Sequence, residues 1–239
     1  IEPRCHTSFA RDRRRRVNGL DHEEKPTAIV GTAAIVDSRR KADLSMIILV
    51  RHGRTELNRS RCLQGRVDAT LDEVGEQQAD TVGTYLASDL QVSRIISSPL
   101  QRAQQTASRI AQQFGIGSVD IDDRWIEIDY GIYDGLPLGD VPGDVWNSWR
   151  TDPEFTPEGG ESFATLHQRV HSACGALIEE AATNDVIVVS HVSPMKSASA
   201  WALGANPSVS HRSRLDQAAI CRIDVSGVLP VLVTFNEIP

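Results

Sequence analysis

Leu49-Val50-Arg51-His52-Gly53-Arg54 ends the run Met46-Ile47-Ile48-Leu49-Val50 and leads into Thr55-Glu56-Leu57-Asn58. The run is short, apolar and rich in β-branched side chains, the pattern of a strand buried on both faces. It stops abruptly at a cation, an imidazole and a glycine. Open α/β sheets carry their chemistry just past the carboxyl ends of strands. A His at that position, between Arg51 and Arg54, reads as a nucleophile in an anion-binding site. The plain alternative is a structural or solvated loop His, and six residues cannot decide between the two.

A chain of 239 residues can enclose one sizeable core with an added arm. Its 40% hydrophobic and 24% charged content is that of a globular protein, and no apolar run approaches the ~20 residues a bilayer span needs. Cys5, Cys62, Cys174 and Cys221 are scattered, without a CxxC pair. That spacing favours free thiols in a reducing cytoplasm over disulfides or zinc. The net charge of −7 argues against nucleic acid as the main partner of the core. Residues 1–45 carry a balance of +3, which leaves −10 for residues 46–239. They read as an N-terminal extension, with Arg13-Arg14-Arg15-Arg16 on a solvated, disordered arm and a mildly apolar stretch from Ala28 to Val36. The chain opens on Ile1, and a native extension and upstream sequence ahead of Met46 both fit.

Beyond the first strand, Asp72 is placed to cap a helix running to about Asp89, with Ala79, Val82 and Leu86 on one face. Residues 93–97 read as a strand. Ser98-Pro99 then suggests an N-cap and a first-turn proline, opening a helix that buries Ala103, Thr106, Ala107, Ile110, Ala111 and Phe114. Val119 to Ile121 is a third short strand. From Trp125 to about Gly160 the chain is rich in Gly, Pro, Trp and Asp, an irregular excursion with a short helix near 145–149. Excursions of that length usually form a lid or pocket wall. Ser162 caps a helix that turns Phe163, Leu166, Val170, Ala173 and Leu177 inward. Val186 to Val189 is another apolar strand, and it too ends in a His, at Ser190-His191. Ser193-Pro194 suggests the start of a helix that Gly204 ends. Residues 217–225 and 229–235 suggest a hairpin. The alternation implies an α/β fold, a mostly parallel sheet with helices on both faces.

Two His residues at strand ends can meet in one crevice. Arg102 lies in the first turns of a helix, a favourable place for an anion. Asn58 can add neutral donors, and Glu127 sits in the irregular wall. Two imidazoles, several guanidiniums and one carboxyl suit phosphoryl transfer, where charge on three oxygens must be held.

Arg51-His52-Gly53, Ser97-Ser98-Pro99-Leu100-Gln101-Arg102-Ala103, Glu127 with Tyr130-Gly131, Gly160-Glu161-Ser162 and Ser190-His191 together resemble the histidine phosphatase superfamily, the phosphoglycerate-mutase-like fold. The resemblance covers residues 46–239 in order. It implies a three-layer α/β/α sandwich and a phosphomonoester hydrolase acting on small phosphorylated metabolites. His52 would become the phosphohistidine. Arg51, Arg102, Asn58 and His191 would hold the phosphoryl group, and Glu127 would give and later take a proton. No metal or organic cofactor is implied. A cofactor-dependent phosphoglycerate mutase is the nearest alternative, disfavoured because Gly131 to Glu161 holds only Arg150 as a cation. A non-catalytic phospho-ligand or protein-binding module is the alternative of another class.

The chain departs from the family pattern in two places. Arg54 stands where Gln or Glu is commoner, and with Gln64 and Gly65 it is expected at the pocket rim. After His191 the chain reads Val192-Ser193-Pro194-Met195-Lys196, where many members have Gly. That variant resembles the phosphatase domain fused to ribonuclease H in actinobacterial acid phosphatases, related to α-ribazole phosphatases, although residues 1–45 are too few for a ribonuclease H domain. His167 and His171 have the i, i+4 spacing of zinc ligands but no Glu base or third ligand between or beside them. They are expected on a polar helix flank. Trp125, Trp146 and Trp149 are expected in core or lid packing, with stacking on a ring of the substrate as the alternative.

Overall fold

The computed structural model describes residues 45–239; the basic arm and the Ala28–Val36 stretch lie outside them. A six-stranded sheet is built from β1 (Met46–Arg51), β2 (Val92–Ser97), β3 (Asp120–Ile121), β4 (Asp185–Ser190), β5 (Ile220–Asp224) and β6 (Val231–Glu237). Its order is β3-β2-β4-β1-β5-β6. The first four neighbours run parallel, whereas β5 is antiparallel to β1 and forms the expected hairpin with β6.

Alternation along the strands sorts the two faces. Ile47, Leu49, Val186 and Val188 enter one core cluster, while Ile48, Val50, Ile187 and Val189 enter the other. The first face is covered by α5 (Phe163–Ala181) and α6 (Val192–Ala202), the second by α2 (Glu73–Ala87) and α3 (Gln101–Phe114). Every residue of β1 is buried, so a Leu49→Ala change removes apolar contact on the α5 side at a cost of about 2–5 kcal/mol.

The helix starts follow local chemistry. Asp72 accepts from Gly75 N and Ser162 from Thr165 N, as their positions suggest. Two expected caps are corrected. The helix after β2 begins at Gln101 with Leu100 as N-cap, because the Ser98 hydroxyl is used elsewhere. The helix after β4 begins at Val192 with His191 as N-cap, two residues earlier than Ser193-Pro194 implied. Phe114, the last residue of α3 before its Gly115 cap, is only partly buried. Between β3 and α5 run two 3-10 turns and α4 (Gly143–Thr151), within the irregular stretch. A four-residue helix, α1 (Glu56–Arg59), follows β1.

Candidate active site

Parallel pairing brings the two strand-end histidines together. Arg51 faces Ser190 in the β1–β4 register, so His52 and His191 follow side by side. Their ring centroids are 5.1 Å apart. The His52 peptide is held on three sides: its N–H donates to Ser190 O, its carbonyl accepts from Ala218 N, and the next N–H donates to Thr106 Oγ1. Gly53 permits this because the loop presses on the start of α2. A Cβ there would lie 2.3 Å from Gly75 O, closer than packed atoms tolerate.

His52 Nδ1 lies 2.7 Å from Gly53 O. A carbonyl oxygen can only accept, so Nδ1 carries the proton and Nε2 keeps its lone pair. Burial, followed by the charges of Arg102 and Arg51, holds the His52 pKa well below the ordinary imidazole value. Burial and Arg102 do the same to His191. Both rings are therefore neutral at pH 7. His191 Nε2 is 2.7 Å from Ser98 Oγ, and its Nδ1 is buried without a partner.

The two guanidiniums are anchored by backbone carbonyls. Arg51 Nη1 donates to Leu215 O. Arg102 Nη1 and Nη2 donate to Val67 O and Gly65 O. Burial lowers each to about 10, which still leaves both cationic at neutral pH. The Nε of each is buried without a partner. Buried unpaired N–H groups each cost ~1–3 kcal/mol, a cost that hydrogen bonds to an anion's oxygens relieve.

Glu127 is 7% exposed. Its Oε1 accepts from its neighbour Ile128 N (2.9 Å) and from Ser193 N (3.2 Å) in the first turn of α6. Its backbone is fixed by a residue the sequence did not single out. Arg169 on α5 donates to the carbonyls of Arg124, Ile126 and Glu127 and pairs with Glu161 through Nε and Nη2. Arg66 reaches the same Glu161. The only sequence signal for this brace was Glu161 in the Gly160-Glu161-Ser162 motif, eight residues before Arg169. Asp129, by contrast, is occupied by Gly131 N and Arg66.

The remaining expected residues divide. Asn58 forms a capping box with Thr55, its Oδ1 accepting from Thr55 N, which leaves its amide nitrogen as a donor. Arg54 turns to Asp72, with Nε 2.8 Å from Oδ2, because that carboxylate caps α2 next to it. Gln64 is buried, with Oε1 unpartnered. Gly65 holds φ +48°, where a Cβ would overlap Asp134, and its contribution is the carbonyl offered to Arg102. His167 and His171 do not lie on a polar flank. His167 is buried against α6, with Nδ1 on Ser197 Oγ, and the two rings pack 5.8 Å apart. Trp125 and Trp149 are buried in the core as expected. Among the described residues, no group of three or more His, Cys, Asp or Glu could hold a metal ion, and no helix is long and apolar enough to cross a membrane.

The family model for the histidine phosphatase superfamily (branch 1) matches residues 47–238. The chain is 36% identical over 177 residues to the bifunctional protein Rv2228c of Mycobacterium tuberculosis, covering 73% of this chain and 48% of that protein. It thus spans about half the length of that relative. It is 34% identical to the protein named probable phosphoglycerate mutase GpmB of Yersinia enterocolitica, covering 74% of this chain and 84% of the relative. Among solved structures, phosphoserine phosphatase from Entamoeba histolytica, in complex with 3-phosphoglyceric acid, matches with TM-score 0.73 and 28% identity over 80% of this chain and 96% of its own. Mycobacterial glucosyl-3-phosphoglycerate phosphatase, complexed with VO3, matches with TM-score 0.72 and 25% identity, covering 81% of this chain and 99% of its own.

Proposed function

The chain belongs to the histidine phosphatase superfamily, and from that premise we propose that it is a phosphomonoester hydrolase working through a phosphohistidine at His52. The observation that carries this reading is the Nδ1–H bond to Gly53 O. It presets the tautomer in which Nε2 is nucleophilic, at the junction of two buried guanidiniums and a second neutral imidazole.

The residues divide the work as follows. His52 Nε2 attacks phosphorus, forming an N–P bond as the ester P–O bond breaks. Arg51 and Arg102 remain charged and hold the three equatorial oxygens, joined by His191 and the Asn58 amide. Glu127 acts as the general acid, giving a proton to the leaving oxygen. Water then attacks the phosphohistidine, with Glu127 taking its proton, and phosphate leaves with His52 restored to the neutral form. The steps call on no metal or organic cofactor.

The 34% identical relative named as a mutase favours a second reading. A mutase must retain a bisphosphate intermediate, which calls for further cations around the outer phosphate. The wall from Gly131 to Glu161 supplies Arg150 alone, and Lys196 of α6 is the one other cation lining the adjoining cavity; we favour release to water. A screen over phosphomonoesters, with His52→Ala as control, tests the proposal. Phosphate release should exceed interconversion of 3- and 2-phosphoglycerate with a bisphosphoglycerate primer present, and the reverse ratio would select the mutase.

A further inference from the structure

Beside Glu127 lies a cavity of about 210 Å³. It shares Tyr130 and Ser193 with the reaction centre: the Tyr130 hydroxyl lies 3.5 Å from Ser193 Oγ, and Ser193 N donates to Glu127. One wall is aromatic. Trp146 and Tyr130 each meet Trp149 edge-on, at centroid distances of 5.2 and 5.1 Å, and Phe163 closes the end.

The lining also carries charge. Lys196 and Arg150 belong to it, and no lining residue is Asp or Glu. The Lys196 ammonium is set by one bond to the Ser213 carbonyl oxygen, a neutral acceptor, which leaves it two further N–H groups. Burial, then the charge of Arg51, pulls its pKa below the ordinary lysine value, a penalty that an adjacent anion reverses. Ser210 also lines the cavity, and its hydroxyl is buried without a partner.

We infer that this cavity is the leaving-group subsite and takes the organic part of a phosphomonoester bearing a flat or apolar body with a carboxylate at its far end. The inference rests on the phosphatase reading for the place of the phosphate, and adds the class of alcohol attached to it. Aromatic edges and faces receive the body, while Lys196 with the Ser210 hydroxyl receives the carboxylate through charge-assisted bonds. The volume is below the ~300–1,000 Å³ of drug-sized sites, so a single ring or a short chain fits and a nucleotide does not.

Binding of stable phosphonates separates this inference from catalysis. The affinities of 4-carboxybenzylphosphonate and its carboxamide are measured by calorimetry on the full chain. The carboxylate should bind at least ~10-fold tighter, about 1.4 kcal/mol. In Lys196→Met the ratio should fall to within about twofold, whatever happens to each affinity. Trp146→Ala should weaken both benzyl compounds more than 3-phosphonopropionate. Equal binding of carboxylate and carboxamide to the unaltered protein would overturn the inference. So would a ratio that survives in Lys196→Met. Hydrolysis of 4-carboxyphenyl phosphate is followed in parallel. A carboxylate preference in binding without phosphate release would retain the subsite and refute the phosphatase.

Discussion

His52 and His191 stand with ring centroids 5.1 Å apart, each one residue past the end of adjacent parallel strands, and both are neutral for the same physical causes. Their roles differ because their partners differ. His52 holds its Nδ1 proton against a carbonyl, whereas His191 sets Nε2 on a serine hydroxyl and leaves Nδ1 free. We therefore expect His52→Ala to abolish turnover. His191→Ala should lower kcat by about 10²–10³, the usual effect of removing one transition-state donor, and still form some phosphoenzyme. Equal, complete loss of phosphoenzyme in both would contradict this division.

Glu127→Gln should cost about 10²–10⁴ in rate on alkyl phosphates, whose leaving alkoxides need a proton. The loss should be clearly smaller on p-nitrophenyl phosphate, and phosphoenzyme should accumulate there because water lacks its base. Asp129, occupied by Arg66 and Gly131 N, should show no such dependence when changed to Asn. A leaving-group-dependent loss in Asp129→Asn and not in Glu127→Gln would move the role to Asp129.

Arg169 is expected to position Glu127 rather than touch substrate, since its donors go to Glu161 and to the carbonyls of 124, 126 and 127. Arg169→Met should lower kcat on alkyl phosphates by roughly 10-fold or more with a smaller change in KM, as misplacing a catalytic group does. Arg169→Lys should recover little of it, because an ammonium cannot make the forked contact. A change in KM alone would assign Arg169 to ground-state binding instead.

Stability should fall as pH drops from 7.5 to 5 in a phosphate-free buffer. His52 and His191 titrate well below the ordinary value in the folded protein and His167 at about 4, mainly through burial. In the unfolded chain they titrate near 6.5, so below that pH the unfolded state binds more protons and gains. The loss begins as pH falls through ~6.5 and deepens toward the folded pKa values, at about 1.4 kcal/mol per unit for each group. Melting temperatures at pH 7.5, 6 and 5 test this; a flat or rising series would contradict it.

Residues 46–239 are proposed as the functional unit. A chain beginning at Ser45 keeps the bonds from Val225 N to Ser45 O and from Met46 N to Asp185. It should retain activity and melting temperature within the error of the full chain; loss of soluble protein would refute this.

The fold was legible because strand ends and helix faces write themselves into periodicity. β1, α2 and β4 were readable to within two residues, as were the start of α5 and the meeting of His52 with His191. What escaped depends on side chains choosing among partners far away in sequence. Ser98 resembled a cap in its local sequence, but His191, ninety-three residues on, takes its hydroxyl. Arg54 was read for its place beside His52, and its pairing with Asp72, eighteen residues on, is visible only in the fold. Arg169 resembled any polar position on a helix, and only the fold shows that it binds three carbonyls of the segment carrying Glu127. His167 and His171 misled because i, i+4 spacing fixes a common face without saying what that face packs against.

The central claim is the phosphohistidine at His52, and rapid-quench trapping tests it directly. The protein is mixed with a ³²P-labelled phosphomonoester, denatured in alkali and mapped by peptide. We expect acid-labile, base-stable label on the peptide containing His52, formed at least as fast as turnover and absent from His52→Ala. Turnover that proceeds with no label on His52, or that survives in His52→Ala, would contradict it.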